Sequence, residues 1–226
     1  MKRMLFALLL ITVSMYTAAH AESRLLAGVR VGPNLADIKT SMMNGALYKP
    51  KPGLLAGVSV EWMPNYSDKH LTSGVRLDVM YAEKGWTDRV IRTDEHARNL
   101  GWFTAGTVYI NELVVSPLYV LRIPVRGFTP FVQLGPEFGF NLSAKEILNS
   151  EIGGGESKNP WGWKKDPNLS LNAGVGVAMP MKGGEGSLDV RYNLGLTNMS
   201  GSPFAKSIKT NGIQLVVGYS FAVPEI

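Results

Sequence analysis

Gly186-Ser187-Leu188-Asp189-Val190-Arg191-Tyr192-Asn193-Leu194-Gly195-Leu196-Thr197 is the stretch that decides the fold. Every second residue from Leu188 to Leu196 is apolar, and Asp189, Arg191, Asn193 and Gly195 lie between them. Successive side chains of a strand point to opposite faces, so this stretch reads as a strand with one apolar and one polar face. The same period recurs over 24–32, 53–62, 70–82, 107–122, 128–140, 168–180 and 210–221. In the last of these, Ile213, Leu215, Val217, Tyr219 and Phe221 oppose Gln214, Gly218 and Ser220. An all-β chain with eight strands is expected.

The connections sharpen this expectation. Between the eight stretches they run 20, 7, 24, 5, 27, 5 and 12 residues, long and short in strict turn. Long extracellular loops alternating with short periplasmic turns are the plan of an antiparallel up-and-down transmembrane β-barrel. A sandwich with Greek-key crossings has no reason to show this alternation. Lysine points the same way. None of the 13 Lys falls inside the eight stretches, whereas a water-exposed strand face normally carries Lys. The apolar faces then suit lipid. Trp62, Tyr81, Phe140, Tyr192, Tyr219 and Phe221 toward the strand ends form an aromatic girdle. Pro117 and Pro136 lie on these faces, and each is expected to impose a bulge or local bend.

The chain of 226 residues opens with a leader-like segment. Lys2 and Arg3 precede an apolar run from Met4 to Val13, and Ala19-His20-Ala21 is a small-x-small cleavage pattern. Residues 1–21 are therefore expected to be a cleaved signal peptide, with 22–226 as the barrel domain. No stretch is apolar for the roughly 18 or more residues that a transmembrane helix needs. Charged residues make up only 18% and Cys is absent, which excludes disulfide scaffolds, Cys–zinc sites and thiol nucleophiles. No basic helix or basic–aromatic motif points to nucleic acid.

The polar faces carry Arg30, Glu61, Arg76, Asp78, Glu112, Arg122, Glu137, Asp189 and Arg191. An eight-stranded barrel is just wide enough for its side chains to fill it. Enclosed charges must pair, because desolvation is costly. These nine are expected to form a structural network that plugs the bore; the alternative is a narrow polar pore. His96 with Asp88, Asp94 and Glu95 reads as a solvated charged loop, and His70 as part of a periplasmic turn. No metal, no cofactor and no catalytic triad is expected. Trp161, Trp163, Lys164 and Lys165 form the most ligand-like loop feature, suited to a sugar or to lipopolysaccharide phosphates. Ser143-Ala144-Lys145-Glu146 resembles a capping box, so a short rim helix is expected there.

Several motifs resemble the PorT-like outer-membrane β-barrel family of Gram-negative bacteria. Gly28-Val29-Arg30-Val31-Gly32-Pro33-Asn34-Leu35 is similar to that family's opening strand, and Tyr81-Ala82-Glu83-Lys84-Gly85 to its Tyr-x-x-Lys-Gly. Gly135-Pro136-Glu137-Phe138-Gly139 matches its middle. Asp189-Val190-Arg191-Tyr192-Asn193-Leu194-Gly195 is the nearest correspondence, and Gly218-Tyr219-Ser220-Phe221 resembles its closing strand. The resemblance spans the mature chain. It implies a non-enzymatic outer-membrane barrel in contact with lipid and lipopolysaccharide. It also implies contact with the barrel-assembly machinery during insertion, and with other envelope proteins as partners. The expected role is envelope structure or surface ligand contact. An accessory barrel of a secretion system, a small-solute porin and a soluble periplasmic carrier remain as alternatives.

Overall fold

The computed structural model describes residues 23–40, 47–67, 70–93, 96, 98–149, 154–158, 167–198 and 208–224. The expected leader, and Trp161, Trp163, Lys164 and Lys165, lie outside these residues. The described chain forms strands and turns only. They are β1 (Arg24–Thr40), β2 (Leu47–Met63), β3 (Thr72–Thr93), β4 (Asn99–Arg122), β5 (Thr129–Leu148), β6 (Gly155–Lys158), β7 (Asn168–Met181), β8 (Gly184–Gly195) and β9 (Ile208–Val223).

Eight of them close a ring in which every pair is antiparallel. The order is β1-β2-β3-β4-β5-β7-β8-β9, and β9 returns to β1 from Leu25↔Val223 to Thr40↔Ile208. The short β6 stands outside the ring, paired to the far end of β5. Within the closed ring no strand has a free edge, which removes the usual template for aggregation there.

The alternation sorts outside from inside as the sequence implies. Val29, Val58, Leu134, Val175 and Val217 are each more than half exposed, and all point away from the bore. Trp62, Tyr219 and Phe221 ring the short-turn end of this apolar belt. Tyr81, Phe140 and Tyr192 ring the other end. Such a coat would be unstable in water; it fits hydrocarbon.

Four expectations need correction. The ladders run well past the belt: β3 and β4 pair as far as Thr93↔Asn99, so most of the expected loops 33–52 and 83–106 are strand. Above Tyr81 the outward residues are Glu83, Thr87 and Arg89, and opposite them Asn111 and Thr107. Outside lipid a strand needs no apolar outer face, so the hydrophobic period fades while the hydrogen bonds continue. Lysines therefore do occur in strands, among them Lys49, Lys51, Lys84 and Lys145. The rim helix is absent too. Ser143 to Leu148 belong to β5, held by pairing from Asn111↔Ser143 to Gly106↔Leu148.

Of the bulge or bend expected at each proline, the bulge is absent. Pro117 pairs with Leu77 in unbroken register. The β4–β5 ladder has the same register on both sides of Pro117 and Pro136, at Val115↔Phe138 and Tyr119↔Leu134. There is no bulge; missing N–H donors interrupt the ladder without displacing it. Gly135 permits the close approach, since a Cβ there would lie 2.1 Å from the Pro117 carbonyl oxygen.

Candidate functional site

The bore is filled by three tiers of charge. At the short-turn end Arg122 of β4 reaches across to β2 and β8. Its Nε and Nη2 donate to the two Glu61 oxygens at 2.7 and 2.9 Å, and its Nη1 to Glu185 Oε1 at 2.8 Å. The fork-on-carboxylate geometry is the strong form of such a pair. Arg76 and Arg122 both lie against the Phe131 ring, 5.5 and 5.8 Å from its centroid.

Asp78 is the hub of the middle tier. It accepts from Arg191 Nη1 at 2.8 Å, and Arg76 Nε and Arg30 Nε lie 3.3 and 3.5 Å away. Asp189 accepts from Arg191 Nε, from Gln133 Nε2 at 2.9 Å and from Arg30 Nη1 at 3.2 Å. Asp78 and Asp189 are thus shared by three guanidinium groups drawn from β1, β3 and β8.

Lys84 forms the third tier. Its Nζ stands 2.7 Å from Glu112 and 3.3 Å from Glu137, and Asn172 Nδ2 donates to the other Glu137 oxygen at 3.1 Å. Trp86, Val108 and Ile110 are buried alongside and above it. All nine charges singled out from the sequence are buried inside the ring. The sequence reading missed Lys84 and Glu185. Lys84 lies two residues past the last apolar alternation, and Glu185 one residue before the assigned start of its strand. Periodicity carries no signal for either.

The two mouths differ. At the short-turn end a cavity of about 550 Å³ is lined by Arg24, Tyr66, Arg122, Arg126, Phe128 and Glu185. Arg24 lies over the Tyr66 ring at 4.5 Å. His70 sits in the neighbouring turn, where its N–H donates to Ser67 Oγ. His96 is exposed at the opposite end; Asp94 and Glu95 lie outside the described residues. No group of three or more metal-ligating side chains occurs among the described residues.

At the long-hairpin end, beyond the apolar belt, Asp88 pairs with Gly106, and a Cβ at Gly106 would lie 3.3 Å from Glu146 Oε1. Burial, reinforced by Glu146 and opposed by a Trp86 hydrogen bond, raises the Asp88 carboxyl to about 6. Burial also raises Glu146. A carboxyl whose folded pKa exceeds its unfolded value of about 3.9 takes up a proton on folding. Stability is therefore gained as pH falls through about 6 and lost as pH rises through it. The urea midpoint of the folded protein should be higher at pH 5 than at pH 7.5, and Asp88→Asn should narrow the difference.

A family model described as outer membrane protein beta-barrel domain matches residues 16–201. The chain belongs to that family. The short-turn end of the barrel is accordingly periplasmic and the long-hairpin end extracellular. Among solved structures, this outer-membrane barrel is similar to Ail, the attachment invasion locus protein of Yersinia pestis. The identity is 15% over 87% of this chain and 98% of that one, with a TM-score of 0.41. It is also similar to Neisserial surface protein A, at 12% identity over 86% and 97% of the two chains and a TM-score of 0.44. OprG of Pseudomonas aeruginosa gives 14% identity over 89% and 96%, with a TM-score of 0.42. None of the curated proteins matches the chain significantly.

Proposed function

We propose that this barrel is a sealed, non-enzymatic envelope protein that works through the surface it presents outside the cell. The observation that carries the reading is the filled bore. Three tiers of ion pairs span it at successive heights, with Trp86 buried beside the uppermost. A solute would have to break buried pairs to pass, and removing one partner of such a pair costs about 3–5 kcal/mol. The β3–β4 hairpin and the β5–β6 hairpin rise beyond the belt and supply the contact surface. Residues 1–21 act as the export signal, and the Tyr-x-x-Lys-Gly and closing-strand motifs support kinship with the PorT-like branch. Lipopolysaccharide surrounds the outer half of the wall, and the assembly machinery inserts it.

Topology can be tested directly because the chain has no cysteine. His96→Cys, on the β3–β4 hairpin, should react with a membrane-impermeant maleimide on intact cells. Gly127→Cys, in the turn between β4 and β5, should react only after the outer membrane is permeabilised. The reverse pattern would overturn the orientation, and equal labelling of both would overturn the outer-membrane reading.

A further inference from the structure

Two irregularities stand at one height on the barrel wall, where the apolar belt ends. Between Pro50 and Leu55, β2 holds one residue more than β3 opposite it. Between Asn141 and Ser143, β5 holds one residue more than β4 opposite it. A bulge re-aims the side chains beside it. Here the two bulges flank the β3–β4 pair; Lys51 lies within the first, and Lys145 lies just beyond the second on its extracellular side. Lys51 and Lys145 reach the same aromatic ring. Their Nζ atoms lie 4.5 and 5.5 Å from the centroid of Tyr109, so they stand within 10 Å of each other.

Gly85 makes this arrangement possible. Tyr109 pairs with Gly85 on one side and with Lys145 on the other. Lys51 must cross β3 to reach the ring, and Gly85 is the residue it crosses. A Cβ at position 85 would lie 3.4 Å from Lys51 Cδ and 2.2 Å from the Val108 carbonyl oxygen. In the run Tyr81 to Gly85, Lys84 therefore turns into the bore while Gly85 clears a path on the outside.

The two ammonium groups have no carboxylate partner among the described residues. Lys51 Nζ donates only to the Pro52 carbonyl at 3.3 Å. The neighbouring outward carboxylate, Glu83, is engaged by the Leu54 N–H at 3.2 Å. Further out, Lys49 and Arg89 add positive charge on the same face. Immediately below the lysines the wall is apolar, with Leu54, Leu113 and Phe140 exposed. A ligand here meets hydrocarbon-like surface below and paired cations above.

We propose that Lys51, Tyr109 and Lys145 form a site for the phosphate groups of the glycolipid in the outer leaflet. The proposal rests on the outer-membrane orientation above and names the lipid chemistry recognised on one side of the wall. Acyl chains lie against Leu113 and Phe140, which brings the phosphates to the level of the two ammonium groups. Charge-assisted contacts to phosphate are the strong class of hydrogen bond. The ring restrains both lysines by cation–π contact, so less side-chain freedom is lost when the phosphate arrives.

The test uses the full mature barrel, refolded in detergent, and measures binding of bisphosphoryl lipid A against the same lipid stripped of both phosphates. Wild type should prefer the phosphorylated lipid by at least tenfold, and the preference should weaken with salt. Lys51→Gln with Lys145→Gln should abolish the preference without changing the heat-shift of the folded band on a gel. Lys51→Arg with Lys145→Arg should retain it. If the double Gln variant does not fold, Lys51→Gln alone should reduce the preference severalfold. Equal binding of both lipids by wild type, or an undiminished preference in the folded Gln variants, would overturn the proposal. Inorganic pyrophosphate binding as tightly as lipid A would reassign the site to free phosphate. The maleimide pattern on His96→Cys and Gly127→Cys is independent of these lysines, so failure of the orientation is distinguishable from failure of the site.

Discussion

Asp78→Asn will destabilise the barrel more than any other single exchange in the bore. Three guanidinium groups, from Arg30, Arg76 and Arg191, converge on this one carboxylate, which is fully buried. Removing its charge leaves Asp189 to balance the tier alone. Breaking one buried pair costs about 3–5 kcal/mol, and here three contacts are weakened together. The loss will appear as a lower urea midpoint for the barrel refolded in lipid. A second exchange should recover part of it. None of the three Arg76 guanidinium nitrogens makes a hydrogen bond to the protein, although two of them lie near carboxylates. Arg76→Met should therefore be the compensating change, because it removes the cation with the weakest remaining contacts and keeps its bulk. If Asp78→Asn unfolds at the wild-type midpoint, or if Arg76→Met adds to its loss, the tier is not held together by this hub.

Val217→Arg is the second large effect. Val217 is 52% exposed on the outer face of β9, between Val31 of β1 and Leu188 of β8. Arg at the bilayer midplane costs about 2–4 kcal/mol, and the cost falls to about 0–1 near the interface. Ser143→Arg, outward on β5 beyond the belt, serves as the depth control. The yield of heat-modifiable barrel should drop strongly for Val217→Arg and stay near wild type for Ser143→Arg. Gln214, on the opposite face of β9, is a poor control because it is fully buried and paired in register with both Asn34 and Arg191. Equal yields from the two Arg variants would remove lipid from the outer face.

The barrel was legible in the sequence because two solvents act on each strand. Around Val190 and Tyr192 the outward residues must suit lipid and the inward ones must fit a narrow bore, so both faces leave a period-2 mark. Above Tyr81 only hydrogen bonding maintains the ladder. Glu83, Gly85 and Thr87 carry no hydrophobic period, so the upper halves of β3 and β4 read as loop, and Lys84 was lost with them. Ser143 and Glu146 illustrate a local signal overridden by long-range pairing. Their spacing suits a helix start, but cross-strand bonds to β4 decide the conformation. The Tyr109 site had no sequence signal. Lys51 and Lys145 are 94 positions apart, and only the two bulges aim them at one ring.

The central claim is that the bore is closed. Purified protein inserted into a planar lipid bilayer at neutral pH and moderate salt tests it most directly. The three tiers predict no stable conductance steps above baseline, with Lys84→Ala, which leaves Glu112 and Glu137 uncompensated, as the variant in which steps first emerge. Large, long-lived single-channel steps from the wild-type protein would contradict a sealed barrel and make it a pore.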